Sequence, residues 1–355
     1  MKRKITRVVK VGNIEIGGNN PIRVQTMTKT PTVDVKATVR QIRRLAKKGC
    51  EIVRVGVPDK ESALALGKIK KESPIPIVAD IHFDYRLALT ALEQGVDKLR
   101  LNPGNIKNPK YVSIIAKEAK ARGVPIRVGS NAGSLPKEIL EKYGGLTSEA
   151  LVESALNEVR LLEDNDFTDI VISVKASSVP LTVEAYRLLS EKVDYPLHIG
   201  ITEAGTLFPG TIRSSVGLGI LLYEGIGDTI RVSLSAPPDK EVEVAYEILD
   251  SLELRRKGLR VLACPMCARS HFPVQEVAKE IEKRFGDYPL NLVIAVMGCE
   301  VNGPGEAKWA DIGITGSKER VIIFKKGKII KETSFERIIS ELEEELTKIK
   351  EVNSN

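Results

Sequence analysis

Cysteine is scarce in this chain: there are four in 355 residues, and three of them, Cys264, Cys267 and Cys299, crowd into the last third, leaving Cys50 alone before them. So few exclude a disulfide scaffold, and the C-x-x-C spacing points to metal or redox chemistry in a reducing compartment. Long apolar runs are missing too. No stretch approaches the roughly 18 residues of a membrane span, and no apolar segment follows the basic start Met1-Lys2-Arg3-Lys4, so a cytoplasmic chain without membrane association is expected. Aromatics make up 5%, with no arginine/aromatic stacking platform, which argues against a nucleic-acid partner. Neither sign of charge dominates. Lys and Arg number 54 against 47 Asp and Glu, and the net +7 is a mild excess that favours an anionic small molecule or an acidic protein.

What is present is a repeated alternation. After a short hairpin at 8–18, turning near Gly12-Asn13, β-rich apolar runs at 22–28, 52–57, 75–81, 98–101, 126–129, 170–174, 197–201 and 229–234 are separated by stretches such as 35–48, 62–71, 109–122, 148–163, 183–192, 214–224 and 241–252. Those stretches carry helical i, i+3, i+4 apolar spacing. Eight βα units in this length predict an α/β fold with an N-terminal (β/α)8 TIM barrel, with an open doubly wound sheet as the alternative. Gly258 closes a charged helix end and marks the expected boundary between a substrate-binding barrel, 1–257, and a small α+β domain, 258–355.

A barrel builds its site where strands end, and polar residues gather there. The strands deliver Arg54, Asp80 with His82, Arg100 with Asn102, Arg127 with Asn131, Lys175, then His198, Thr202 and Glu203, and finally Arg231 and Ser233. Any one cation could be a structural partner of a nearby acid. Five of them, Arg54, Arg100, Arg127, Lys175 and Arg231, around one mouth imply a multiply charged anion, most simply a diphosphate, because burying that much like charge is otherwise costly. Asp80 and Glu203 are the candidate hydroxyl acceptors or proton-transfer groups, whereas a histidine such as His198 is more often a satisfied core residue.

In the C-terminal segment, runs at 259–263 and 292–297 lead into Cys264-Pro265-Met266-Cys267 and Gly298-Cys299, which places both thiol loops at one sheet edge. Helices at 274–285 and 335–349, a strand at 312–315 and a hairpin around Lys325-Lys326-Gly327-Lys328 complete the segment. Three thiolates suit an iron–sulfur cluster with a fourth ligand from Glu306 or His271, or a Cys3His zinc site with His271. The backbone-exposing turn Asn302-Gly303-Pro304-Gly305 tilts the balance towards a cluster, whose sulfides its N–H groups would meet.

These residues also carry a resemblance. Cys264-Pro265-x-Cys267-x-Arg269 and Met297-Gly298-Cys299-x-Val301-Asn302-Gly303-Pro304-Gly305-Glu306 stand beside Val24-Gln25-Thr26-Met27-Thr28, Ala79-Asp80-Ile81-His82-Phe83-Asp84, Arg100-Leu101-Asn102-Pro103-Gly104-Asn105 and Thr202-Glu203-Ala204-Gly205. Nearly the whole chain resembles the 4-hydroxy-3-methylbut-2-enyl diphosphate synthases, iron–sulfur enzymes of the non-mevalonate isoprenoid pathway. The resemblance implies a 4Fe-4S cluster held by Cys264, Cys267, Cys299 and Glu306. It implies a cyclic diphosphate substrate, 2-C-methyl-D-erythritol 2,4-cyclodiphosphate, opened and dehydroxylated by two electrons from reduced ferredoxin or flavodoxin. It further implies a homodimer with the active site completed across subunits, Glu203 as general acid, Glu306 yielding its iron to substrate, and Asn302 touching substrate. Met266 and Ala268 depart from the small or hydroxyl residues expected inside the first cysteine motif, and neither is a ligand.

Overall fold

The computed structural model describes residues 3–102, 106, 108–299, 307–317 and 319–354. Two compact units divide the chain, Met1–Arg255 and Arg256–Asn355. The division falls ahead of Gly258 because the Arg255 guanidinium is tied into the first unit, donating to the Ile22 carbonyl and to Glu51.

The first unit opens with an antiparallel hairpin of β1 (Val9–Val11) and β2 (Ile14–Ile16). Its turn needs Gly12, which sits at φ 59° where an added Cβ would lie 2.6 Å from Asp97 Oδ1. Eight parallel strands follow: β3 (Arg23–Met27), β4 (Ile52–Gly56), β5 (Ile77–Asp80), β6 (Lys98–Arg100), β7 (Ile126–Asn131), β8 (Ile170–Lys175), β9 (His198–Ile199) and β10 (Thr229–Ile230). They pair in the order β8-β7-β6-β5-β4-β3-β10-β9, and a parallel bridge between Ile172 and Leu197 joins the two ends. The alternation therefore closes into a barrel.

Around it lie α1 (Val35–Lys47), α2 (Lys60–Glu72), α3 (Tyr85–Glu93), α4 (Pro109–Ala121), α5 (Lys137–Tyr143), α6 (Ser148–Glu163), α7 (Val179–Lys192), α8 (Leu207–Tyr223) and α9 (Pro238–Ser251). Asp34, Asp59, Asp84, Asn108, Thr147 and Ser178 cap helix N-termini by accepting a backbone N–H, each worth about 1 kcal/mol. Because those caps end the βα loops, they also fix the loops that carry the site. The sequence pattern places α7 and α8 too late. Both begin several residues earlier, across Pro180 and Pro209, since a proline in the first helical turn removes an N–H that has no partner anyway.

Outward-facing strand residues such as Val24, Val53, Ala79, Leu99 and Ile172 pack under the helices in one apolar layer. Beneath the barrel, Val9, Val11 and Ile16 of the hairpin pack on Ile52, Val78 and Val171, closing that end with apolar side chains. Most of the remaining inward positions are polar, with Met27 beside Arg54 an exception.

The second unit is a five-stranded mixed sheet in sequential order, β11 (Arg260–Ala263), β12 (Val293–Val296), β13 (Ile312–Gly316), β14 (Val321–Lys325) and β15 (Lys328–Thr333). The first three are parallel and the last two antiparallel. Helices α10 (Val274–Phe285) and α11 (Ile338–Ser354) cover one face, where Ile281, Ile294, Ile314 and Leu342 are buried together. Among the described residues no helix is long and apolar enough to cross a membrane.

Candidate active site

Strand alternation turns Arg54, Asp80, Arg100 and Arg127 to the inside of the barrel, and Asp80 is the hub. Its carboxylate lies 3.4 Å from Arg54 Nε, 3.5 Å from Arg100 Nε and 3.4 Å from His82 Nε2. Burial works against its charge, yet Arg54, His82 and Arg100 hold the carboxyl well below the usual range. Arg127 donates to Ser173 Oγ at 2.6 Å, and burial, with Arg54 and Arg100 beside it, pushes its guanidinium well down. Lys175 is buried and pushed down likewise, by desolvation and then by Arg127 and Arg231. Arg231 sits 3.7 Å from Glu241 Oε2. All five expected cations thus face one interior, with fewer carboxylates than cations to meet them.

Above them opens a cavity of about 610 Å³, lined by Arg100, Asn102, Asn131, Thr202 and Glu203 together with His82, Phe83 and Ser177. Glu203 adopts φ 51°, a left-handed conformation that costs a non-glycine residue about 1–2 kcal/mol. Its neighbours hold it there. Thr202 N–H donates to Ala176 O, Arg213 Nη1 donates to Ala204 O, and Ser235 N–H donates to Gly205 O. Strain of this kind at a cavity rim is a mark of a functional position.

His198 lies deeper, fully buried, with Nδ1 2.7 Å from Thr229 Oγ1, and burial pushes its ring well below the ordinary histidine value. Expected strands at 197–201 and 229–234 shrink to two residues each, because ladder pairing there is confined to Thr229 with His198 and Arg23, and Ile230 with Ile199 and Val24. Arg231 and half-buried Ser233 are accordingly held by irregular chain beyond β10. Asn302 and Glu306, like 103–105, lie outside the described residues.

Three supporting residues escape the sequence reading. Glu241 on α9 accepts from Thr26 Oγ1 at 2.6 Å and from Leu234 N–H at 3.1 Å besides facing Arg231, so one buried carboxylate ties β3, the loop after β10 and a ring cation together. Glu158 on α6 accepts from Gly129 N–H at 3.3 Å. Neither has a sequence signal, since each meets partners distant in the chain. The third, Lys98, has one: it alternates with Arg100 on β6 and therefore shares its inward face.

Burial pushes Glu158 up to about 8, although Gly129 N–H, Arg100 and Arg127 oppose it. A carboxyl raised above its unfolded value lends stability below that value and loses it as pH climbs through the folded one. Glu158→Gln is therefore expected to match wild type near pH 4.5 and to exceed it by up to about 4 kcal/mol at pH 8. Urea unfolding of both proteins across that range checks it.

In the second unit, β11 and β12 are parallel with Ala263 opposite Val296, so the chain enters Cys264 and Met297 side by side. Cys264 N–H donates to Val296 O, and His271 N–H donates to Gly298 O. Gly298 lets the loops approach: a Cβ there would lie 2.5 Å from Ser270 Oγ and 3.5 Å from Cys264 Sγ. Met266, at φ 61°, turns its N–H onto Cys264 Sγ at 3.4 Å. The backbone and then the side chain of Arg269 hold the Cys267 thiol below its ordinary value. The three thiols thus lie at one sheet edge, half-buried for Cys264 and Cys299 and exposed for Cys267. Among the described residues no three Cys, His, Asp or Glu side chains converge on a point suited to one metal ion. Cys50 stands apart, buried in the barrel with its thiol pushed up to about 12.

The family model for the GcpE TIM-barrel domain matches residues 6–246, and that for the GcpE protein C-terminal domain matches 260–348. The chain belongs to the GcpE family. A GcpE relative from Caldanaerobacter subterraneus subsp. tengcongensis is 58% identical over 98% of both chains, and one from Geobacter sulfurreducens is 56% identical over 93% of this chain and 94% of the relative. Both are named 4-hydroxy-3-methylbut-2-en-1-yl diphosphate synthase (flavodoxin). The resemblance read from the motifs is borne out at family level. Among solved structures, Yersinia pestis dihydropteroate synthase superimposes with a TM-score of 0.51 at 11% identity, covering 69% of this chain and 98% of that one, a likeness of barrel fold alone.

Proposed function

We propose that this GcpE chain reduces 2-C-methyl-D-erythritol 2,4-cyclodiphosphate to 4-hydroxy-3-methylbut-2-enyl diphosphate and water, with flavodoxin as electron donor, in isoprenoid synthesis in the cytoplasm. One observation carries the reading furthest: an interior ring of five cations with Asp80 at its hub, in the same chain as three thiols on one sheet edge. The relatives' names support the product and the donor. We likewise propose that the barrel binds the substrate and that the second unit holds the cluster.

Arg54, Arg100, Arg127, Lys175 and Arg231 bind the diphosphate and neutralise it as a leaving group when its bond to C2 breaks. Asp80 orients Arg54 and Arg100. Asn102, Asn131, Thr202, His198 and Ser233 supply neutral hydrogen bonds that select the sugar-derived carbons and hydroxyls, and Asn302 is assigned to the same task. Glu203, at the cavity rim, holds the proton that converts the departing C3 hydroxyl into water. Two electrons and two protons balance the change. The donor set fits a 4Fe-4S cluster: Cys264, Cys267, Cys299 and Glu306 would hold it, and when bound it would supply those electrons singly and Lewis acidity where Glu306 yields. The mild positive excess suits an acidic flavodoxin. A homodimer whose active site draws on both subunits is the proposed assembly, supported by the exposed apolar stripe Leu207, Phe208, Ile212, Val216 and Tyr223 of α8.

Anaerobic purification with iron and sulfide analysis, followed by turnover with reduced flavodoxin, tests the reading. The expected result is about four irons per chain, with the linear allylic diphosphate formed by wild type and lost in Glu306→Ala. Stoichiometric zinc without iron, or no consumption of the cyclic diphosphate, overturns it.

A further inference from the structure

Lys98 opens β6, and its neighbour Leu99 packs outward in the apolar layer, so its own side chain enters the barrel on the face of Arg100. It is completely buried, and its ammonium has no hydrogen-bond partner among the described residues. Below lies the apolar floor of Val9, Val11, Ile16 and Val78, the last paired with Lys98 in the ladder. The hairpin's charged residues, Lys10 and Glu15, are exposed and give it no counter-charge. Above and across lie the five ring cations, Asp80 and His198. Asp80 is committed to Arg54, Arg100 and His82, and the neutral His198 ring offers no charge. The side-chain amide of Gln25 and His198 Nε2 are also buried without partners, so this whole polar level is under-satisfied. An unpaired cation in such a place either neutralises or waits for an anion.

We propose that Lys98 is a proton-linked sixth cation of the anion site: neutral beneath the free ring, it takes a proton from solvent onto Nζ when a bound diphosphate offsets Arg54 and Arg127. This rests on the ring being the diphosphate site. Desolvation, then Arg127 and Arg54, bring Lys98 down to about 7 in the free protein, and a dianion overhead raises it again. The sign follows. Below about pH 7 Lys98 is charged in both states and binding exchanges no proton, whereas above it binding consumes one until the bound-state value is passed. The device favours dianions over monoanions, because a single charge shared among five cations restores less of the lysine's basicity.

Calorimetric titration of the oxidised holoenzyme with 2-C-methyl-D-erythritol 2,4-cyclodiphosphate, in two buffers of different ionisation enthalpy at pH 8, tests this. The ligand's phosphoryl groups carry no proton that titrates in this range, so any proton counted belongs to the protein. Wild type is expected to take up at least one proton per ligand, since buried Lys175 is pushed down as well, its affinity falling about tenfold or more per pH unit above pH 7. Lys98→Met, an apolar replacement of similar length that removes a buried charge, is expected to fold and bind with one proton fewer taken up than wild type and a correspondingly shallower pH profile. Lys98→Arg, charged throughout, should likewise take up one proton fewer while binding at least as tightly as wild type at pH 8. Binding by wild type without proton exchange, or uptake in Lys98→Met equal to that of wild type, overturns the proposal. No binding by wild type overturns the diphosphate-site reading and the proposal with it.

Discussion

Asp80→Ala is expected to destabilise the barrel unit by about 3–5 kcal/mol at pH 7, the penalty for removing one partner of a buried ion pair and leaving the other charges uncompensated. Asp80 is 3% exposed, and Arg54 and Arg100 both lean on it. Its carboxyl is held well below the usual range, so the stability it lends is present above its unfolded value of about 4 and is lost as pH falls through the folded one. The gap between wild type and variant should therefore be full at pH 7 and narrow in acid. Urea unfolding at pH 7 and pH 3 measures both. A loss under about 1 kcal/mol at pH 7 would mean that the ring is solvated enough to stand alone.

Glu203→Gln should do the opposite, sparing the fold and removing the chemistry. Its side chain is exposed at the cavity and the loop is held by the backbone of Thr202, Ala204 and Gly205, none of which the change touches. Stability is expected within about 0.5 kcal/mol of wild type. Turnover is expected to fall about 10²–10⁴-fold, the usual worth of a positioned acid, with KM little changed. Single-turnover kinetics in the reduced enzyme would show the loss in the chemical step. An unaltered kcat would transfer the proton to another group at the rim.

The barrel was legible because each βα unit repeats the same two signals, an apolar run and a 3.6-residue stripe. Helix α3 escaped because nine residues carry barely two turns of stripe, although the Asp84 cap before it was there to be read. The cations were legible because a charge inside an apolar strand is conspicuous. Lys98 stood in the same pattern and was passed over, since its position at the start of β6 resembles a solvated strand end. Glu158 and Glu241 were beyond reach. A glutamate on an amphipathic helix is ordinary, and only the fold brings Glu241 to Thr26, 215 residues away. The left-handed Glu203 is of the same kind, because its backbone angle depends on contacts from elsewhere in the chain.

The floor of the barrel has a kinetic consequence. With Val9, Val11 and Ile16 sealing one end, the interior formed by the described residues opens at the other. On the proposed reaction, incoming and outgoing diphosphates then share that opening. The proposed linear product, which would keep both phosphates and hence a hold on the cations, should act as a competitive inhibitor, and throughput at high conversion would then be set by the rate of exit.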